Sequence, residues 1–191
     1  YGPILSREII NKGKMAALNE ALGEYKRTGL TNLPTSEQIY SSEKYFANER
    51  YDVIEIADVE ISNFELIDEG TIGSLDIVYL LQDTIGPIPA ITAAVGIGGG
   101  SWKDYVDPSG NLVMTVKISG DTSEDLDEIY DAYILWGDTQ KRFTEVVEQY
   151  NGLIYKGSTN VWISKQNGFV KMVLSQDLNI IDEISSQLGD L

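Results

Sequence analysis

The apolar residues of this chain change period near Tyr51, and any fold must satisfy both sides of that change. Before it, Met15, Leu18, Leu22 and Tyr25 recur at spacings of 3, 4 and 3, one stripe on a 3.6-residue turn, widened by Ala16, Ala17 and Ala21. The spacing predicts a single helix over 4–28, with Pro3 tolerated in its first turn and Gly29 as its stop. Gly13 and Gly23 each cost about 1 kcal/mol relative to alanine inside it, so packing has to hold this helix. After Tyr51, the pairs Ile54 and Ile56, Val59 and Ile61, and Phe64 and Leu66 alternate with Glu55, Glu60 and Glu65, the two-residue period of a strand. The phase slips at Ala57-Asp58 and at Ser62-Asn63, which reads as bulges or turns. Residues 30–50, between the two periods, read as a loop with one helical turn.

Further along, Leu75–Leu81 fits a strand or a short helix, and Ile88–Ile97 is a small apolar run ending in Gly98-Gly99-Gly100. Asp107-Pro108-Ser109-Gly110-Asn111 is a turn signal, followed by a strand over Leu112–Ser119. Residues 121–150 read as helix, capped by Asp121, Thr122 or Ser123, with Leu126, Ile129, Tyr130 and Tyr133 inward. A break at Gly137-Asp138 precedes a second helical stretch carrying Phe143, Val146, Val147 and Tyr150. Short strands follow at Leu153–Lys156, Val161–Ser164 and Phe169–Ser175, the last two joined by the hairpin signal Asn167-Gly168. Leu178, Ile181, Ile184 and Leu188 mark a final helix over 177–188. The expected fold is α+β: a long N-terminal helix packed on an antiparallel sheet, with additional helices near 121–150 and 177–188. It is expected as one domain across 1–191, a helical arm over 1–30 and a globular head over 31–191.

The chain has no cysteine and no histidine, which removes disulfides, thiolate chemistry, the commonest metal ligand and the commonest general base together. Its net charge of −16 repels phosphate backbones and anionic headgroups, so a nucleic-acid partner is not expected. That charge is uneven. Residues 1–30 hold five basic side chains (Arg7, Lys12, Lys14, Lys26, Arg27) against three acidic ones, a net of +2, which leaves −18 on the rest. No stretch approaches the ~20 apolar residues that span a bilayer. The start at Tyr1 without methionine reads as processing or deliberate cutting.

Few constellations suggest chemistry. The run Gly96-Ile97-Gly98-Gly99-Gly100-Ser101 could cradle a phosphate, but it lacks the Gly-Lys-Ser/Thr ending, and Trp102–Asn111 after it reads as loop. The blander reading is a mobile connection between strands. Asp121, Glu124 and Asp125, with Asp127, Glu128 and Asp131, offer hard oxygen ligands for calcium, as does the Asp104–Asp107 turn. Helix capping accounts for most of the same carboxylates, and no cofactor is expected otherwise. Trp102, Trp136 and Trp162 suit a sugar platform or ordinary packing. No catalytic set stands out, and no enzyme is expected.

The stretch Gly2-Pro3-Ile4-Leu5, the run from Lys12 through Ala16-Ala17-Leu18 and Ala21-Leu22 to Tyr25-Lys26, and Leu33-Pro34-Thr35-Ser36-Glu37-Gln38 resemble type IV pilins and type II secretion pseudopilins. The likeness covers about a fifth of the chain. It implies a structural subunit of an extracellular, cell-surface filament, with copies of itself or related pilins as partners. It also implies an interface at Ile4, Leu5, Arg7, Lys12 and Lys14, and a membrane contact only through a hydrophobic half-helix upstream of Tyr1. Some pseudopilins hold calcium in a loop, which adds to the interest of the acidic run. Three departures stand beside the likeness: the hydrophobic half-helix and the cysteine pair of many pilins are absent, and the helices at 121–150 and 177–188 lie outside the minimal pattern. The alternatives are a secreted or cell-surface binding module, adhesin-like and calcium-dependent, and an enzyme working through carboxylates or serine.

Overall fold

The computed structural model describes residues 35–57 and 59–189. The chain divides between Tyr51 and Asp52 into two compact units. In the smaller, α1 (Ser36–Tyr40) and α2 (Ser42–Ala47) replace the expected loop. Thr35 and Gln38 make a reciprocal capping box: the Gln38 amide donates to Thr35 Oγ1 and the Thr35 amide to Gln38 Oε1. Lys44 pairs with Glu37 at 2.5 Å and with Glu49 at 2.8 Å, and Asn48, left-handed at φ 52°, ends α2.

The larger unit is built on seven strands. They are β1 (Glu65–Thr71), β2 (Ile97–Val106), β3 (Leu112–Gly120), β4 (Glu145–Gln149), β5 (Gly152–Lys156), β6 (Asn160–Gln166) and β7 (Phe169–Ser175). They form one antiparallel sheet in the order β1-β2-β3-β7-β6-β5-β4. Its helices are α3 (Ser74–Ile85), α4 (Pro87–Val95), α5 (Ser123–Thr139) and α6 (Leu178–Gly189).

Residues directly across a ladder share a face, so the register sorts the core. Val116 opposite Met172 and Ile163 opposite Met172 face α5, which buries Ile129, Tyr133 and Trp136. The opposite face carries Tyr105, Val113, Val173, Trp162 and Ile154 in one cluster with Ile181, Ile184 and Leu188 of α6. On that same face Lys171, 3% exposed, donates to the Leu188 carbonyl at 2.6 Å. It supplies the cation that the last turn of α6 lacks on its own residues.

The fold differs from the expectation at several points, each for a local reason. The architecture of a long N-terminal helix laid on the sheet is corrected: among the described residues, α5 covers one sheet face and α6 the other. The stretch 4–28 lies outside the described residues. The described residues of the alternating run, 52–57 and 59–64, are not a strand but a strap over the α6-bearing face. The Asp52 amide donates to the Gly98 carbonyl, Lys117 Nζ to the Glu55 carbonyl, and Val59 and Ile61 join the α6 cluster. The pattern has period two because one side of an extended chain is buried, whether or not it pairs. The expected helix over 121–150 stops at Thr139, and β4 follows at Glu145–Gln149. Tyr150 and Asn151, both left-handed at φ 53° and 52°, turn it into β5. The apolar run 88–97 is mostly α4, whose Ala90, Ala93 and Ala94 are buried.

The glycine run is neither cradle nor connection: it opens β2, and Gly96 to Gly100 are all buried. A Cβ on Gly99 would stand 2.2 Å from the Asp52 carbonyl oxygen, so the strap can cross there only over glycine. Both sheet edges are acidic, with Glu65, Asp68, Glu69 and a bulge on β1, and Glu145 and Glu148 on β4. Like charges on both edges oppose pairing with a second copy.

Candidate ligand cleft

On the α5 side, the helix layer leaves an apolar cleft of about 370 Å³ between α3, α5 and the strands β2, β3, β6 and β7. Two larger depressions, about 600 and 570 Å³, are more open and more polar; one follows the strap at Ile54–Ala57, the other the Asp107 turn. The cleft is the better candidate because ligand sites are concave, mostly apolar and marked by few polar groups.

Its walls follow from sequence step by step. Gly70 on the edge strand lets the Trp102 indole lie against its backbone; a Cβ there would come 2.8 Å from Nε1. Tyr79 and Leu80 of α3, 82% and 48% exposed, stand at the mouth. The opposite wall is Trp136, held edge-to-face on Phe143 at 5.8 Å, with the Arg142 guanidinium 5.2 Å from the Trp136 ring and 5.0 Å from that of Phe143. Met114 and Leu174 lie opposite one another on β3 and β7 and floor the cleft.

Two groups give the cleft polarity. Asp76 sits in the first turn of α3, where one carboxylate oxygen accepts the Gly73 amide at 2.8 Å. Tyr133 of α5 is 2% exposed, and its hydroxyl makes no hydrogen bond to the described residues. Burial, and then the negative charge of Asp76, push its phenol well above the ordinary tyrosine range. Tyr133 therefore stays protonated at any physiological pH, and Asp76 is engaged as a helix cap. These groups can orient a ligand; they do not form a nucleophile–base pair.

The residues singled out from sequence are distributed otherwise. Glu124 and Asp125 lie in the first turn of α5, where the Thr122 hydroxyl donates to Asp125 Oδ2 at 2.7 Å and the Asp125 amide donates back to Thr122 at 3.1 Å. Ser123 donates to Glu124 at 3.1 Å, and Asp121 precedes the helix with its amide on the Gly96 carbonyl. Asp107 accepts the Ser109 and Asn111 amides and the Asn111 side chain, all within 2.8 Å, which holds its carboxyl below the usual range. Burial, and then Asp68, push Asp104 up.

Of the three tryptophans, Trp102 and Trp136 meet in the cleft, while Trp162 is buried on the other face with its indole on the Gln149 carbonyl at 3.3 Å. Sequence reasoning missed Tyr79, Tyr133 and Asp76 as a set; only the exposed aromatic in the apolar run 75–81 hinted at them. Ile4, Leu5, Arg7, Lys12 and Lys14 lie outside the described residues, among which no helix is long and apolar enough to cross a membrane. Comparison with family models, with curated proteins and with solved structures finds no match to this chain.

Proposed function

We propose that the larger unit is a non-catalytic binding module that holds a small apolar molecule in the cleft between α3, α5 and the sheet. The observation that carries this reading is the cleft itself: about 370 Å³ walled by two tryptophans and two tyrosines, one of which, Tyr133, makes no hydrogen bond through its hydroxyl to the described residues. A hydroxyl not committed to a protein partner is one of the few polar groups by which such a cleft can orient a ligand. Titration with the neutral fluorophore N-phenyl-1-naphthylamine tests it. Saturable one-to-one binding with quenching of tryptophan emission is expected, weakened about tenfold or more by Met114→Trp, which fills the floor. Met114 is only half-buried, so the variant should remain folded by thermal melt. Non-saturable binding, or binding indifferent to Met114→Trp, rules the cleft out.

A second reading, a subunit of an extracellular filament, is supported by the likeness of Gly2–Gln38 to pilins and by the charge division of +2 on residues 1–30 against −18 on the rest. It brings the cell-surface location and the self-partner with it, and its heterologous stacking would not close. Lys12→Glu should leave the fold unchanged and reduce filament assembly in cells expressing the full gene. Undiminished assembly counts against the filament interface.

A further inference from the structure

We propose that the ligand of the cleft is a small apolar cation, an alkyl- or benzylammonium; this rests on the reading of the cleft as the binding site. Ring faces carry the negative end of an aromatic quadrupole, and four aromatic side chains (Tyr79, Trp102, Tyr133 and Trp136) line this one space. The arrangement is already used once within the protein, since the Arg142 guanidinium lies over the Trp136 and Phe143 rings. Asp76 adds a full negative charge. Its Oδ2 is anchored by the Gly73 amide, while Oδ1 accepts no hydrogen bond from the described residues, so the carboxylate is only half committed to the protein.

Tyr133, neutral and almost wholly buried, offers a hydroxyl oxygen as acceptor without adding a competing charge. The chain's net −16 favours the approach of cations over that of anions. The apolar floor of Met114 and Leu174 asks for a hydrocarbon body; a bare inorganic cation would keep its water and gain nothing from it. Arg142 is the one feature that would attract an anion, and its guanidinium is exposed and engaged on two rings.

Three probes of one shape separate the possibilities: benzyltrimethylammonium, its uncharged isostere neopentylbenzene, and the anion benzylsulfonate, each displacing N-phenyl-1-naphthylamine. The cation is expected to displace the fluorophore at about tenfold lower concentration than the neutral isostere, with the anion weakest. Asp76→Asn, which keeps an acceptor for the Gly73 amide, should erase most of that preference, bringing the cation's displacing concentration close to that of neopentylbenzene on the same variant. Equal or better displacement by neopentylbenzene or benzylsulfonate overturns the cation assignment while the cleft remains a binding site. Failure of the fluorophore to bind at all overturns the cleft reading beneath it. Should Asp76→Asn not fold, the comparison of the three probes on the unaltered chain decides alone.

Discussion

Above pH 10 the larger unit loses stability steeply, because two phenols that it keeps neutral ionise in the unfolded chain. Tyr133 and Tyr155 are 2% and 0% exposed, and burial raises both well above the ordinary tyrosine value. For Tyr155 the Asp138 carboxylate adds to the shift, since the hydroxyl lies 3.0 Å from Asp138 Oδ1 and 3.2 Å from the Ile134 carbonyl. A group whose pKa is raised on folding contributes stability that is whole below its unfolded value, near 10 for tyrosine, and is lost as pH climbs toward the folded value. Each such phenol removes about 1.4 kcal/mol per pH unit, so the pair removes about 3 kcal/mol per unit.

Lys171 works in the opposite sense. Burial, and then Lys117, lower its pKa, so rising pH relieves a penalty up to the ordinary lysine range. The profile should therefore be level or rising below pH 10 and fall beyond it. Urea melts at pH 8, 10, 11 and 12 measure the slope, and Tyr133→Phe should cut it by about half. A midpoint that does not move between pH 10 and pH 12 would contradict the burial of both phenols.

Gly137→Val should destabilise the larger unit by about 3 kcal/mol, the upper end of what overpacking costs. A Cβ at Gly137 would stand 2.5 Å from the Tyr155 ring, before the two further methyls of valine are counted. Tyr155 has little room to retreat: it packs 5.4 Å from Phe143, and its hydroxyl is tied to α5 itself. Valine gains only a few tenths of a kcal/mol over glycine in helix propensity, so the clash dominates. The midpoint of urea unfolding reads the effect; a midpoint equal to that of the parent would show that Tyr155 can swing aside.

Gly137 also shows where sequence reading reaches its limit. Glycine followed by aspartate looks like a helix break, yet α5 continues to Thr139 because the missing side chain is the seat of a tyrosine from β5. The C-terminal third was legible for the opposite reason. The Asn167-Gly168 turn, with φ of 54° and 79°, and the alternation on either side of it are local signals, and local signals specify β6 and β7. Ile181, Ile184 and Leu188 likewise show α6 by spacing alone.

The strap was misread because one-sided burial of an extended chain gives the same period as a paired strand. Residues Thr35 to Gln38 carried part of the likeness to pilins, and the structure finds in them a capping box, a device any helix start can use. The cleft could not be read in advance at all. It depends on which residues a register of non-neighbouring strands brings together: Trp102 from β2, Met114 from β3 and Leu174 from β7.

That register also governs when the molecule can exist. β3 pairs with β7, so the middle of the sheet joins residues 113–118 to 170–175, and no shorter chain can close it. During synthesis the first three strands emerge with β3 as an uncovered border, and they wait through α5 and the β4–β6 meander for the last strand to arrive. Non-local pairing of this kind is slow, and an unpaired border invites a wrong neighbour while it lasts. The final seven-residue strand is thus the closing seam of the sheet, and a ribosome that stalls before Phe169 releases two half-sheets with nothing to join them.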